Sequence, residues 1–324
     1  MESSVATSHF ADRLIAAVRA KGNPVLVGLD PRTESLPPGL LVGGSPEDIS
    51  FAYCEFCKRV IDVVAPLVPA VKPQAAFFEQ LGPAGCFALK AVIDYAAASG
   101  LVVILDGKRN DIGSTAQGYA EAYLGPGEAS PWGCDALTVS PYLGDDSLTP
   151  FVEVAKCRGA GIFVLVKTSN PGGRRFQDIV ADGRPMYRHV SEYVESLAKL
   201  TRRASEGAPT RSVSEAGESR YGLVGAVVGA TYPQQLAELR QAMPHTWFLI
   251  PGYGAQGGTA KDCAAAFDEH GLGAIVNNSR GIIFAHARKE LAAKFGPGRW
   301  QEAVEAATRE MIDQLRAETP AGRL

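Results

Sequence analysis

The amino-acid sequence predicts a single-domain α/β protein built as a (β/α)8 barrel, and three observations favour this fold. Short apolar strands alternate with helical segments, which indicates a parallel sheet. Eight such strand–helix units fit within the 324 residues. Polar residues follow the strands at their carboxyl ends, where barrels of this class carry out their chemistry. A doubly wound open sheet is the alternative, but its GxGxxG fingerprint is absent after the first strand.

The elements follow one another in a regular order. An amphipathic helix is predicted at residues 9–21, ending at Gly22, a residue typical of helix C-termini. A polar tract at residues 205–220 is predicted to be an exposed insertion. Strands are predicted at residues 24–29, 69–71, 101–105, 136–139, 161–166, 223–228, 247–250 and 274–276. The polar or loop residues at their ends are Asp30, Lys72, Asp106, Ser140, Ser169, Thr231, Pro251 and Arg280. Further helices are predicted around residues 46–64, 85–99, 148–158, 188–204, 233–242, 282–295 and 300–317.

Composition excludes several classes of protein. With 46% hydrophobic and 21% charged residues and a net charge of −3, the chain has no electrostatic footprint for a nucleic-acid polymer. No apolar run reaches the ~18–20 residues of a membrane span, and no signal-peptide core is present, so we expect a cytoplasmic protein without membrane contact. Cys54 and Cys57 form a CxxC within a helical pattern, where buried thiols are expected rather than a zinc or redox site.

Charged residues follow the third predicted strand directly. The apolar run 101–105 leads into Asp106, Lys108 and Asp111, and a helical pattern follows. Asp106 and Lys108 share one face of an extended backbone, while Asp111 and Thr115 lie one helical turn apart. Folding alone does not require such a cluster, because charges with little access to water cost several kcal/mol each unless compensated. The alternative interpretation is a solvated turn in which Asp111 caps the next helix.

Two further segments predict a phosphate site. The loop after the seventh strand, PGYGAQGG, is rich enough in glycine for backbone N–H groups to approach an anion. The eighth strand ends in NNSRGI, which places Arg280 immediately before a helix. The loops after these two strands commonly bind phosphate in (β/α)8 barrels, and arginine offers two donors to phosphate oxygens.

Acidic and basic residues from the first three strands are expected opposite the phosphate site. These residues are Asp30, Lys72, Asp106, Lys108 and Asp111. Together they can bind substrate hydroxyl groups and place an ammonium group against a reacting carbon. Lys72 as a structural ion-pair partner and Asp30 as a helix cap are the alternatives. The five histidines are dispersed, and two lysines would compete with a magnesium ion, so no metal is predicted.

The segment DGKRNDIGST has the DxKxxDxxxT pattern and resembles the orotidine 5'-phosphate decarboxylase family. Its longer context resembles the bacterial second subfamily, through VKPQAAFFE, TVSPYLG, KTSNPGG, PGYGAQGG and NNSRGI. The resemblance extends from Asp30 to Arg280, and the tract at 205–220 matches no motif of the family. It implies a (β/α)8 barrel that acts as a homodimer without metal or organic cofactor. The implied reaction converts orotidine 5'-monophosphate to uridine 5'-monophosphate, the last step of de novo pyrimidine synthesis.

The resemblance also implies roles for the charged residues. Lys108 would protonate C6 of the pyrimidine, and Asp106 would lie beside the substrate carboxylate. Lys72 would connect the ribose with the charged array. Asp111 and Thr115 would reach into the site of the partner subunit, with Asp111 on the ribose and in the charged network, so that Asp111 counts with Lys72, Asp106 and Lys108 among the catalytic residues.

The remaining positions would bind substrate. Asp30 would bind a ribose hydroxyl and Ser169 the pyrimidine ring, while Gln256 and Arg280 would hold the phosphate. The family closes the glycine-rich loop over its ligand. The implied substrate-binding set is Asp30, Thr115, Ser169, Pro251, Gln256, Gly257 and Arg280.

Elementary chemistry agrees with these roles. Loss of CO2 from C6 leaves a poorly delocalised carbanion, which a nearby ammonium stabilises and then protonates. A carboxylate ~4 Å from the substrate carboxylate would destabilise the ground state by about 4 kcal/mol at an effective dielectric near 20. Three alternatives remain open: a magnesium-dependent keto-sugar-phosphate decarboxylase with a similar DxKxxD, a Schiff-base aldolase using Lys72 or Lys108, and a non-catalytic nucleotide-binding barrel.

Overall fold

The computed structural model describes residues 9–203, 220–254 and 256–324. Its strands are β1 Val25–Leu29, β2 Ala70–Pro73, β3 Val102–Arg109, β4 Ala136–Val139, β5 Gly161–Lys167, β6 Val180–Ala181, β7 Arg184–Pro185, β8 Val224–Val228, β9 Phe248–Ile250 and β10 Ala274–Asn278. Eight of them form a closed barrel in the order β1-β2-β3-β4-β5-β8-β9-β10, and β10 pairs with β1. Every pairing in the barrel is parallel. The closed barrel confirms the predicted fold class over the open sheet.

Helices connect successive strands and surround the barrel. Most were predicted within a few residues of their observed bounds. They are α1 Phe10–Lys21, α2 Pro46–Val64, α3 Ala75–Glu79, α4 Gly82–Ala98, α5 Gly113–Tyr123, α6 Thr149–Arg158, α7 Arg174–Gln177, α8 Met186–Leu200, α9 Pro233–Ala242, α10 Ala260–Cys263, α11 Arg280–Ile283, α12 Lys289–Phe295 and α13 Trp300–Glu318. No helix within these described ranges is both long and apolar enough to cross a lipid bilayer.

Local sequence accounts for the ends of several helices. α1 ends at Gly22, which has the left-handed φ of 60° that a C-cap glycine adopts readily. α2 begins at Pro46 after a capping box, in which the Ser45 hydroxyl accepts the N–H of Asp48 at 3.1 Å. These signals lie in the sequence itself, which is why the helix ends were predictable.

The N-terminal helix packs against the end of the barrel opposite the carboxyl ends of the strands. The Phe10 ring of α1 meets the Phe163 ring edge to face, with 6.0 Å between centroids. Gly161 makes this approach possible, because an added Cβ there would lie 2.2 Å from Cδ1 of Phe10. Phe10 and Phe163 are both buried. The opposite end, at the carboxyl ends of the strands, is therefore left for ligands.

Three segments differ from the prediction. β6 and β7 form an antiparallel hairpin that was not predicted, although Asp182 and Gly183 at its turn have the positive φ values (48° and 76°) typical of an Asp-Gly turn. The single helix predicted at 282–295 is divided into α11, a short 3-10 turn and α12, because Arg288 is extended. Residues 205–219 of the predicted insertion lie outside the described residues.

Candidate active site

Asp106, near the carboxyl end of β3, is the centre of a hydrogen-bonded charged array. Its Oδ2 accepts from Lys72 Nζ at 2.8 Å and from Gln74 Nε2 at 2.9 Å. Its Oδ1 accepts from Lys108 Nζ at 2.5 Å and from the Thr138 hydroxyl at 2.9 Å. A carboxylate has about four acceptor sites, so the protein occupies all of them. The carboxylate is thereby fixed in one orientation.

The array holds its members in their charged forms. Burial alone would raise the pKa of Asp106, but the positive charges of Lys72 and Lys108 hold that pKa well below its ordinary value. Burial would likewise lower the pKa of Lys72, but the negative charge of Asp106, with a contribution from Asp30, raises it. A carboxylate and an ammonium group therefore lie side by side near neutral pH.

The two lysines of the array differ in their access to ligands. The Lys72 side chain is only 5% exposed. The Lys108 side chain is 48% exposed, near the carboxyl end of β3. A cavity of about 420 Å³ opens beside Lys108 and is lined by Gln74, Phe77 and Asp106, among others. Lys108 is therefore the ammonium group of the array that a ligand can reach.

Lys108 also has an unusual backbone. Its φ is +46°, in the left-handed region, which costs a residue with a Cβ about 1–2 kcal/mol. The pairing of β3 with β4 shifts here, since Leu105 pairs with Leu137 but Arg109 pairs with Val139. Such bulges re-aim side chains beside functional sites. β3 therefore continues through the charged segment, which was predicted to follow the strand.

Arg109 points away from the array. Its guanidinium forms an ion pair with Glu79 and donates to the Tyr123 hydroxyl at 3.1 Å. It also lies 5.7 Å and 5.2 Å from the ring centroids of Tyr119 and Tyr123. Arg109 therefore connects the end of β3 with α3 and α5, which is a structural role.

Asp111 and Thr115 lie apart from the array. Among the described residues, no hydrogen bond or ion pair joins either of them to Asp106 or Lys108. Asp111 Oδ1 accepts the N–H of Ile112 at 2.9 Å, and α5 begins after Ile112 without a side-chain cap. Asp111 is therefore not the N-cap of this helix. Thr115 is exposed on the first turn of α5.

Ser169, Thr231 and Gln256 converge around Gly252 in the loop after β9. An added Cβ at Gly252 would lie 3.2 Å from Ser169 Cβ, 3.3 Å from Gln256 Oε1 and 3.4 Å from Thr231 Cγ2. Gly252 also has a φ of +97°, which favours glycine. The structure therefore brings together Ser169, which follows β5, and Gln256, which lies in the loop after β9.

The glycine-rich loop turns back on itself through its backbone. The N–H of Gly257 donates to the Gly254 carbonyl at 2.8 Å, and the N–H of Gly258 donates to the Gly252 carbonyl at 3.0 Å. Positive φ values at Gly252, Gly254 and Gly257 allow this path. Pro251, directly after β9, is half-buried and leads into the turn.

Arg280 begins α11 directly after β10. Its side chain is exposed, and within the described residues its guanidinium forms no hydrogen bond or ion pair. β1 and β10 approach closely beneath it, since an added Cβ at Gly28 would lie 1.8 Å from Ser279 Oγ. An uncommitted guanidinium beside a glycine-rich turn is suited to binding an anion.

Asp30 lies at the end of β1, next to Lys72. Its Oδ1 is buried and lacks a hydrogen-bond partner within the part of the chain that the structure describes. The short helical turn that follows, Thr33–Ser35, starts after Arg32 without a side-chain cap, so Asp30 does not cap it. A buried acceptor without a protein donor is suited to a ligand hydroxyl group.

Gln74 and Thr138 are the members of the array that the sequence reasoning missed. Gln74 follows Lys72 by two residues, so the alternation of an extended chain would have placed both on one face. Thr138 is a buried residue within the otherwise apolar strand β4. Because it lies two residues before Ser140, the alternation of an extended chain would have placed both side chains on one face. Neither signal indicates contact with Asp106.

The two cysteines of the CxxC segment lie in α2. Cys57 is buried in α2 and Cys54 is partly buried, and burial raises the pKa of both thiols. Within residues 9–203, 220–254 and 256–324, no three His, Cys, Asp or Glu side chains lie together in a group that could hold a metal ion.

The fold and the site together define a class of protein. A closed (β/α)8 barrel carries a charged array at the carboxyl ends of its early strands, and a glycine-rich turn and an exposed arginine at the ends of its last two. This combination is typical of barrel enzymes that act on phosphorylated small molecules.

Comparison with known proteins agrees with this class. Residues 23–295 match the model of the orotidine 5'-phosphate decarboxylase / HUMPS family, and the chain belongs to that family. An orotidine 5'-phosphate decarboxylase of Rhodopirellula baltica is 56% identical over 312 residues, covering 95% of this chain and 99% of the relative. One from Caldicellulosiruptor bescii is 38% identical over 291 residues, covering 86% and 90%. The solved Leishmania donovani OMP decarboxylase is 32% identical, with a TM-score of 0.70 and coverage of 96% and 98%.

Proposed function

We propose that the chain decarboxylates orotidine 5'-monophosphate to uridine 5'-monophosphate, with the charged array as its reacting centre. The family and the names of the near full-length relatives support this substrate and reaction. The observation that carries the proposal is the buried Asp106 carboxyl group, held between the ammonium groups of Lys72 and Lys108 at 2.8 Å and 2.5 Å. This arrangement places a fixed negative charge beside an ammonium group that a ligand can reach.

Lys108 is the proton donor in this proposal. Cleavage of the bond between C6 and the carboxylate carbon releases CO2 and leaves the electron pair on C6. The ammonium group of Lys108 stabilises this negative charge and then transfers its proton to C6. Lys72, which is buried, keeps Asp106 ionised while Lys108 reacts.

Asp106 destabilises the bound substrate more than the transition state. Its carboxylate would face the substrate carboxylate, and two such charges ~4 Å apart repel by about 4 kcal/mol at an effective dielectric near 20. The repulsion is relieved as CO2 leaves. Because the protein already supplies all four hydrogen bonds to Asp106, its carboxylate has little freedom to turn away.

The phosphate is bound at a distance from the reacting carbon. Gln256 and Arg280 form the anion site in this proposal, and Pro251 and Gly257 shape the turn that carries Gln256. Binding energy from a remote phosphate can drive loop closure and orient the pyrimidine against Lys108.

The other polar residues bind the nucleoside. Ser169 donates to the pyrimidine ring, and the buried Oδ1 of Asp30 accepts from a ribose hydroxyl group. Asp111 and Thr115 act in the site of a second copy of the chain, since within the described ranges neither is hydrogen-bonded or ion-paired to the array of its own chain.

A homodimer is supported by exposed apolar side chains near Asp111. Ile112 is 53% exposed, and Tyr142 and Leu143, which follow β4, are 80% and 49% exposed. Large exposed apolar residues beside a functional site are typical of an interaction surface. We propose that a second copy covers them.

The setting of the reaction is part of the same proposal. We expect no metal ion or organic cofactor, a cytoplasmic location, and a place at the last step of de novo pyrimidine synthesis. No nucleic-acid polymer or membrane is expected as a partner.

The test is ultraviolet absorbance of EDTA-treated protein mixed with orotidine 5'-monophosphate. The orotate chromophore should fade without added metal, and Lys108→Ala should abolish the decay in a protein that stays folded. Lys156→Ala on the exposed face of α6 is the matched control and should decay at the parent rate. Substantial activity in Lys108→Ala would remove Lys108 from the proton-donor role. If the folded parent shows no decay, activity restored by magnesium on phosphosugars would favour the keto-sugar-phosphate reaction, and borohydride trapping would favour an aldolase.

A further inference from the structure

We infer that Thr138 is a positioning residue for the proton donor, because one buried hydroxyl holds both the backbone of Lys108 and the carboxylate of Asp106. The hydroxyl accepts the N–H of Lys108 at 2.9 Å and donates to Asp106 Oδ1 at 2.9 Å. The inference rests on the proposed function and adds to it a residue on β4 that does not face the ligand cavity directly.

The directions of the two hydrogen bonds follow from the groups involved. A backbone N–H can only donate, so the Thr138 oxygen must accept from Lys108. The hydroxyl proton is then available to Asp106, whose ionised carboxylate can only accept. Thr138 is 2% exposed, so water does not compete for either bond. The hydroxyl therefore has one orientation, and it links the backbone of Lys108 to the carboxylate of Asp106 through two hydrogen bonds.

The position of Thr138 opposite the bulge explains why it can do this. Between the pairs Leu105–Leu137 and Arg109–Val139, three residues of β3 stand opposite Thr138 alone. At this bulge the backbone hydrogen bonds between β3 and β4 are out of register, so β4 does not offer a backbone carbonyl to every N–H of β3. The Thr138 hydroxyl provides the partner for Lys108 at the point where its φ is +46°.

The left-handed backbone of Lys108 is unfavourable for a residue with a Cβ, so it persists only where its surroundings enforce it. Loss of the Thr138 hydroxyl would leave the Lys108 N–H, in a partly buried position, without its partner and would allow the segment to relax. The Lys108 ammonium would then move relative to C6. A displacement of about 1 Å in a reacting group can reduce the rate ~100-fold.

Substrate binding should respond differently from turnover. In the proposed function the phosphate and nucleoside are held by Asp30, Ser169, Gln256 and Arg280, which follow β1, β5, β9 and β10. Within the described residues the Thr138 hydroxyl is hydrogen-bonded to Lys108 and Asp106 and to none of these four. The predicted signature is a fall in kcat with little change in KM, because the hydroxyl acts on the position of the proton donor and not on ground-state binding.

The experiment measures kcat and KM for orotidine 5'-monophosphate in Thr138→Val, Thr138→Ser and Thr308→Val. We expect Thr138→Val to lower kcat roughly 10- to 100-fold with KM within about twofold of the parent. Thr138→Ser keeps the hydroxyl and should recover kcat to within about threefold. Thr308→Val is the matched control, since Thr308 is a buried threonine in α13 whose hydroxyl donates to the Val304 carbonyl at 2.8 Å.

Three results would overturn the inference: kcat of Thr138→Val at the parent value, a Thr138→Ser variant as slow as Thr138→Val, or a loss of turnover matched by an equal rise in KM. If Thr138→Val does not fold, Thr138→Ser is compared with Thr138→Ala, which differ only in the hydroxyl. A ratio of their kcat values below about threefold then overturns the inference. A parent protein without decarboxylase activity would instead overturn the proposed function, so the two failures are distinct.

Discussion

Lys72 Nζ and Asp106 Oδ2 lie 2.8 Å apart at the ends of two neighbouring strands, with only 5% and 10% of their side chains exposed. A buried ion pair of this kind contributes little net stability, because desolvation of both charges offsets most of their attraction. Breaking it by removing one partner is costly, since a buried charge is left uncompensated. The pair is therefore better explained by the chemistry of the site than by folding.

Lys72→Met should lower both activity and stability. We expect the free energy of unfolding to fall by about 3 kcal/mol, which is the lower end of the range for breaking a buried ion pair. The lower end is expected because three other donors still contact Asp106. Urea denaturation of the parent and the variant measures this difference. In the double variant Lys72→Met/Asp106→Leu, only part of the stability should return while activity stays lost, because Gln74 and Thr138 then lose their acceptor. A single variant as stable as the parent would contradict the expectation.

The stability contributed by Asp106 should depend on pH with a definite sign. Its folded pKa lies below the ordinary value of 3.8, so the folded state binds this proton less readily than the unfolded state. The stabilisation is therefore fully present above the ordinary pKa and is lost as the pH falls below about 4.

Urea denaturation of the parent and Asp106→Asn between pH 7 and pH 3 tests this sign. The difference in unfolding free energy should be constant from pH 7 to about pH 5 and should shrink below about pH 4. Asp94→Asn is the control, because the exposed ion pair of Asp94 with Lys90 contributes little at any pH. A difference that grows on acidification would show that Asp106 is not ionised in the folded protein.

The sequence predicted the barrel, and the convergence of polar residues at the carboxyl ends of its strands, for a physical reason. Strand ends converge in a closed barrel, so the polar residues that follow apolar runs meet without further information. Asp106 and Lys108 were predicted on one face from the alternation of side chains along an extended backbone, and the hydrogen bond between them agrees with that placement. Thr138 and Gln74 could not be assigned, because their contacts with Asp106 depend on the register of β3 against its neighbours. The bulge at Lys108 is set by packing between strands, and no local pattern in the sequence shows it.

Arg280→Lys should weaken phosphate binding with less effect on the chemical step. Lysine keeps the charge but loses the forked pair of donors that matches two phosphate oxygens. We expect KM for orotidine 5'-monophosphate to rise about 10-fold or more, which corresponds to loss of one charge-assisted hydrogen bond. Steady-state kinetics measure the change. Arg299→Lys, an exposed arginine before α13, is the control and should match the parent. An unchanged KM would place the phosphate elsewhere.

Mixing two inactive variants should restore activity if each site uses residues from both subunits. In Asp111→Ala the site lacks the residue proposed to come from the partner, and in Lys108→Ala it lacks the proton donor. A heterodimer of the two variants has one site with both lesions and one with neither. Random reassociation should therefore return about one quarter of the parent activity, because half of the dimers are mixed and each has one intact site. The two variants are unfolded in urea, refolded together, and assayed by the decay of orotate absorbance. Each variant refolded alone is the control and should stay inactive. No recovery from a mixture that contains folded heterodimers would place Asp111 in the site of its own chain.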